Sequence, residues 1–425
     1  MSDNESTEHR RAPSSARQPL LEPADAPRLQ RASLLLHGGR TPSAPDEAVV
    51  TPLSQSVNYA TPVGSADELR YARHGNTPNA ALVQRRLALL EGAEDALIFS
   101  SGMAATSCTM LALLRPGDHI VASGWLYGGT RLFMERELPA YGVETTFVDP
   151  TETRGWLRVL RRNTRMLFLE SPVNPTTRVI DLRPVRTMAN ELGIALVVDS
   201  TFASPINFRP LEHGADVVIH SATKYLNGHH DVLAGVVCGS EAVIDELRSK
   251  MAVWGQAPDP FAVWLLERGL KTLDVRVQRQ NANAMRIAGW ALTQHAISRV
   301  HYPGLHSHPD HEIAAAHLDG FGGMLAIELA GGVDASQRTL SRLALFVHAS
   351  SLGGVDSLVS EPRFTSHRHL SAEQRASLGI PDGFLRLSVG IEDADDLIAD
   401  LAQAIGDGIA SDGAASTPND SPGVP

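Results

Sequence analysis

Seven short apolar runs, spaced between helix-patterned segments, constrain this chain more than any other feature. They are "DALIFSS", "DHIVAS", "VETTFVD", "TRMLFLES", "IALVVDST", "DVVIHSAT" and "LAGVVCGS". Runs of four to eight residues rich in Val and Ile, apolar without alternation, predict strands buried on both faces, and such strands belong to parallel or largely parallel sheets covered by helices. The fold class is therefore α/β, with a mostly parallel sheet in a large domain. After about Ser240 the texture changes to long helical patterns, beginning "PFAVWLLERGLKTLDVRVQRQNANAMRIAGWALTQH". Short strands return at "GGMLAIELAGG" and "GFLRLSVGIED". This predicts a smaller α+β domain at the C-terminal end, attached through a long helix near residues 255 to 290.

The ends have a different composition. The first 30 residues mix charge, Ser and Pro, and the last 17 are rich in Ser, Pro, Gly and Asp. Neither offers enough apolar surface to offset its ordering entropy, so 1–30 is expected to be a disordered leader and 409–425 a disordered tail. Between them lie an arm for subunit contacts (31–60), the large domain (61–270) and the C-terminal substrate-side domain (271–408). The 425 residues suit two or three domains at about 150 residues each. A formal charge of -11 disfavours nucleic acid and anionic membrane as partners. Two cysteines, Cys108 and Cys238, both in apolar runs, fit a reducing cytoplasm and buried structural thiols. No apolar stretch reaches the ~18 to 20 residues of a membrane span.

Ligands of open α/β sheets bind beyond the carboxyl ends of the strands. Residues following the apolar runs there include Asp199, the set Ser221, Thr223 and Lys224, the segment Ser100, Ser101, Gly102 and Met103, and Glu170 with Asn174. A buried lysine loses its charge readily and serves as a Schiff-base amine. A nearby carboxylate can hold a pyridinium nitrogen, and a Ser-Ser-Gly-Met helix start can seat a phosphate. Together these are the parts of a pyridoxal phosphate site, although each alone is equally compatible with a solvated strand end. The histidines His301, His306, His308 and His311 in "HYPGLHSHPDHE" are interrupted by Pro and Gly and read as a solvated linker, with no metal. His229 and His230 read as hydrogen-bonded lining, and Asp393 and Asp396 as a capped helix start.

The run "VVDSTFASPINFRPLEHGADVVIHSATKYLNGHHDVLAG" resembles the signature of the Cys/Met-metabolism, or trans-sulfuration, family of pyridoxal-phosphate enzymes. "YARHGNTPN", "LEGAEDALIFSSGMAA", "LYGGTRLF", "ESPVNPTTRVIDL", "WLLERGLKTLDVR" and "GFLRLSVGIEDADDLIADL" resemble further parts of it, in the family's order over about residues 45 to 405. The resemblance implies fold type I, pyridoxal 5′-phosphate as cofactor, an amino-acid substrate, and a cytoplasmic homotetramer built from dimers that share active sites. Lys224 would carry the cofactor and move protons. Asp199 would pair with its ring nitrogen, and Gly102, Met103, Ser221 and Thr223 would hold its phosphate. Tyr127 would stack on the ring and Asn174 would lie near the ring hydroxyl. Arg386 would grip the substrate carboxylate, with Ser350 and Ser351 beside it, while Tyr71 and Arg73 would reach the phosphate of the adjacent subunit.

The implied activity is γ-elimination or γ-replacement on a sulfur amino acid or O-acyl homoserine. A β-lyase giving pyruvate and a cofactor-binding protein without turnover are the alternatives. Three places depart from the family pattern, one of them a swapped pair. Asn76, Thr77 and Pro78 give Asn-Thr-Pro in place of Asn-Pro-Thr. Ser350 replaces a glutamate of cystathionine γ-lyases and γ-synthases, and Gly129 a cysteine of methionine γ-lyases.

Overall fold

A computed structural model describes residues 29–406 except 41–45, 47, 65–68 and 369. The expected leader and tail lie outside the described residues, apart from positions 29 and 30 at the one end. Each of the seven apolar runs forms a strand: β1 (Asp95–Phe99), β2 (His119–Ser123), β3 (Glu144–Val148), β4 (Thr164–Glu170), β5 (Ala195–Asp199), β6 (Val217–His220) and β7 (Gly235–Gly239). They join in one sheet of order β1-β7-β6-β5-β4-β2-β3. β3, β2, β4, β5 and β6 are mutually parallel, while β7 runs antiparallel to both of its neighbours, β6 and β1. The reversal has a simple cause. Parallel neighbours need a crossover of a dozen or more residues, usually helical, and the link from β6 to β7 is spent on irregular turns containing Lys224.

Both faces of this sheet are packed. Leu87, Leu90, Val236 and Leu266 form part of one apolar cluster, Phe99, Ile120, Phe168 and Ile219 part of a second, and Leu167, Val198 and Val218 part of a third. Cys108 and Cys238 lie inside these clusters, and burial raises the Cys108 thiol to about 12 and pushes Cys238 well above its usual range, as structural thiols require.

The second sheet comprises β8 (Ile297–His301), β9 (Met324–Leu329), β10 (Val347–His348), β11 (Leu358–Ser360) and β12 (Phe384–Ser388), in the order β10-β11-β12-β9-β8. It is antiparallel except for the β10–β11 pair. The helix Leu273–Ala291 packs on it through Ala284, Ile287, Ala288 and Ala291. The helix Ala394–Ile405 opens as expected on a carboxylate cap, with Asp393 Oδ1 accepting from the Asp395 N–H at 2.9 Å. One expectation fails. "HYPGLHSHPDHE" is not a solvated linker: His301 sits in β8 with its Nε2 2.6 Å from Glu328 Oε1, and His308 is also buried, with Asp310 N–H donating to its Nδ1 at 3.2 Å. Proline and glycine set the turns, but hydrogen-bonded partners let imidazoles enter the interior. Among the described residues no group of three or more His, Cys, Asp or Glu could hold a metal ion, and no helix is long and apolar enough to cross a membrane.

Phe168 lies in β4 with no solvent exposure and neighbours in both directions along the sheet. Truncating it to alanine should cost about 3–5 kcal/mol of stability, the range for a buried Phe whose site cannot collapse, read as a lowered urea midpoint.

Candidate active site

The carboxyl ends of β4, β5 and β6 meet the second sheet at a cleft of about 770 Å³, whose lining includes Gly102, Tyr127, Asp199, Lys224, Ser350 and Arg386. Met103, Asn174, Ser221, Thr223 and Ser351 line it as well. Eleven of the thirteen residues singled out from the sequence are thus brought together. Tyr71 and Arg73 are not. Tyr71 bridges to Asn58, while Arg73 donates to the Ala252 carbonyl and stacks its guanidinium 5.3 Å from the Tyr71 ring centroid.

Lys224 follows β6 on a turn closed by its own N–H to the Ser221 carbonyl at 3.1 Å. Its ammonium donates to Ser351 Oγ at 2.8 Å and has no carboxylate partner among the described residues. Burial, and then the nearby Arg386 charge, lower its pKa to about 8. Arg386 is held in β12 with Nη1 donating to Asn174 Oδ1 at 3.0 Å and Nη2 to the Ser351 carbonyl at 2.9 Å. Its Nε is buried with no acceptor among the described residues, and desolvation lowers this guanidinium to about 10. A buried cation with a spare donor and neutral partners is an anion site, suited to a carboxylate.

Two carboxylates lie deeper. Asp199 and Glu170 end β5 and β4 at paired positions of the register. Burial raises both above the usual carboxylate range, and for Glu170 the nearby Asp199 charge adds to it. Asp199 accepts from the Thr201 N–H at 3.0 Å and hydroxyl at 2.6 Å, and Thr201 Oγ1 in turn accepts from the Ser221 N–H at 2.9 Å. Glu170 accepts from the backbone N–H of Tyr127 at 2.7 Å and of Asn174 at 2.8 Å. Glu170 was visible as a strand end without a role. Its function is to place two other residues of the site, and nothing in a sequence marks a side chain aimed at distant backbone.

Ser101 caps the helix Gly102–Leu113, its Oγ accepting from the Ala104 N–H at 3.0 Å. A Cβ on Gly102 would lie 2.9 Å from Ser221 Oγ, so glycine is what lets the helix start and the lysine turn form one cradle. Thr223 Oγ1 is engaged with the Ala234 backbone at 3.2 Å and 3.0 Å. Tyr127 is 44% exposed over the cleft. A Cβ at Gly129 would stand 2.6 Å from its ring Cε1. His229 Nδ1 donates to the Asn227 carbonyl of its own turn at 2.8 Å, whereas His230 is exposed at a φ of 58°.

In the cofactor-free protein the Lys224 amine should react with an acylating reagent with a midpoint near pH 8, measured by peptide mass spectrometry across pH. Arg386→Met should move that midpoint upward, because removing a neighbouring cation favours the charged ammonium.

The chain matches the family model for Cys/Met metabolism PLP-dependent enzymes over residues 32–406. It is 41% identical to the cystathionine beta-lyase of Coxiella burnetii over 375 residues, covering 87% of this chain and 96% of that one. With the cystathionine gamma-lyase of Bacillus subtilis it shares 39% identity over 379 residues, covering 89% and 99%. The crystal structure of cystathionine gamma synthase from Xanthomonas oryzae, in complex with aminoacrylate and cysteine, superposes with a TM-score of 0.85 at 36% identity, covering 89% of this chain and 98% of that one. The chain is therefore a fold type I, pyridoxal-phosphate-dependent enzyme of the Cys/Met-metabolism family, a lyase or transferase of sulfur amino-acid metabolism.

Proposed function

We propose that this enzyme catalyses γ-elimination or γ-replacement on a sulfur amino acid or an O-acyl homoserine. The observation that carries the reading is the environment of Lys224: a desolvated amine bound only to a hydroxyl, beside a guanidinium with a free donor. γ-Chemistry removes protons from Cα and then Cβ, so its base must not be locked into an ion pair. Lys224 meets that requirement.

The residues present fit the cofactor. Asp199, desolvated and with a raised pKa, is suited to a cationic ring nitrogen, and the glycine cradle between Gly102 and Ser221 is suited to a phosphate. Gly102, Met103, Ser221 and Thr223 would hold the phosphate, Asp199 the ring nitrogen, Tyr127 the ring face and Asn174 the ring hydroxyl. When bound, pyridoxal phosphate supplies an electron sink for the charge left at Cα. Arg386 and Ser351 bind and orient the substrate carboxylate, and Lys224 takes and returns protons at Cα and Cβ. Ser350 lines the cleft and contributes no charge there.

Tyr71 and Arg73 stand away from their own cleft, and Val49, Val50, Leu53, Val57 and Leu69 are exposed along the same stretch. Both features support an assembly of at least a dimer, in tetramers built from such pairs, with Arg73 completing the neighbour's phosphate site. A β-lyase reading is favoured by the similarity to the Coxiella burnetii protein.

Mass spectrometry of the keto acid released from L-cystathionine distinguishes the branches. 2-Oxobutyrate is the expected product, and pyruvate would overturn the γ-assignment in favour of β-cleavage. Arg73→Ala and Lys224→Ala should each be inactive alone, and mixing the two under conditions of subunit exchange should restore turnover through hybrid sites. Absence of restoration in proven hybrids would remove the shared-site proposal.

A further inference from the structure

The helix Leu273–Ala291 carries a line of polar side chains on a face that is entirely buried. Arg276, Gln280 and Asn283, spaced at i, i+4 and i+7, are 3%, 0% and 2% exposed. Buried polar groups are retained at a cost unless they are hydrogen-bonded, so their partners identify their use. Arg276 Nη1 donates to the Tyr225 carbonyl at 2.9 Å, directly after Lys224, and Nη2 to the Gly269 carbonyl at 2.9 Å. Gln280 Nε2 donates to the Gly354 carbonyl at 2.7 Å. Asn283 Nδ2 donates to the carbonyls of Gly390 at 3.1 Å and Glu392 at 2.8 Å, just past β12 and Arg386. Three successive turns of one rigid element thus hold the three segments that present Lys224, Ser351 and Arg386.

Gln280 holds the middle one. The segment 350–355 is stitched to the lysine turn through Val355 N–H to the Gly228 carbonyl at 2.9 Å, and to β12 through Gly353 N–H to Ser388 Oγ at 2.8 Å. It is confined against Tyr225, because a Cβ on Gly353 would approach the Tyr225 N to 2.8 Å. Ser351 itself sits at a φ of 83°, a conformation that needs support from its surroundings. Its hydroxyl meets Lys224 and its carbonyl meets Arg386. The Gln280 Oε1 is buried without a partner among the described residues, so the amide is kept for its donor alone.

We propose that Gln280 is a positioning residue: through Gly354 it sets the place of Ser351 between the lysine and the arginine, and so the geometry in which the substrate carboxylate is received. The proposal rests on the reading of Arg386 and Ser351 as the carboxylate grip.

Gln280→Leu tests it, since leucine fills the space and removes the donor. A purely structural amide with half its polar capacity unpaired would be replaced without functional loss. Positioning predicts instead a KM for L-cystathionine raised about tenfold with kcat much less changed, within the range that a misplaced binding group costs. It also predicts that the reactivity midpoint of Lys224 in the cofactor-free protein falls below that of the unaltered chain, because the ammonium loses a well-placed acceptor. Unchanged KM and midpoint would overturn the proposal. A lowered midpoint with unchanged KM would uphold Gln280 as a positioning residue and sink the carboxylate grip. Gln280→Met, of similar length and without a donor, carries the same expectations should the leucine variant fail to fold.

Discussion

Two cations, Lys224 and Arg386, share one desolvated cleft, and neither has a carboxylate partner among the described residues. Holding two like charges close together out of water is unfavourable: desolvation and then the Arg386 charge push the amine toward its neutral form, while desolvation lowers the guanidinium. The arrangement persists because every direct partner is a neutral acceptor on a firmly held segment, the hydroxyl and carbonyl of Ser351 and the amide of Asn174. Much of the surrounding structure, including the pairing of β4 with β5, the helix Leu273–Ala291 and the position of β12, serves to place those acceptors.

The two carboxylates beyond them follow the complementary logic. Asp199 and Glu170 repel one another from paired strand ends, yet they are satisfied differently. Asp199 takes its hydrogen bonds from Thr201, which also receives the Ser221 N–H, so the carboxylate is tied to the lysine turn through one hydroxyl. Glu170 takes its bonds from the backbone of two loops. One carboxylate is therefore oriented for a ligand, and the other is consumed in building the walls.

The large sheet was legible in the sequence because strands buried on both faces leave apolar runs, and the edge strand β3, half polar as ETTFV, was found with them. β8 was not, since "ISRVH" is half polar, and β10 and β11 are too short to leave a pattern. The histidines around it were misjudged because local turn chemistry says nothing about a glutamate contributed by the neighbouring strand. Strand-end position plus family resemblance assembled most of the cleft. What remained hidden were side chains that act on distant backbone: Glu170 reaches residue 127, Gln280 reaches 354 and Arg276 reaches 225. Such contacts depend on three-dimensional register and have no signature along the chain.

Gly129 packs under Tyr127 so closely that a side chain there would need the ring's own space, with Met103 Sδ only 3.2 Å away on the other side. Position 129 and the tilt of Tyr127 are thus a single mechanical variable. A larger residue there would press on the Tyr127 ring and crowd Met103 in the same step, so in this chain substitution at position 129 cannot move one of these side chains without the other.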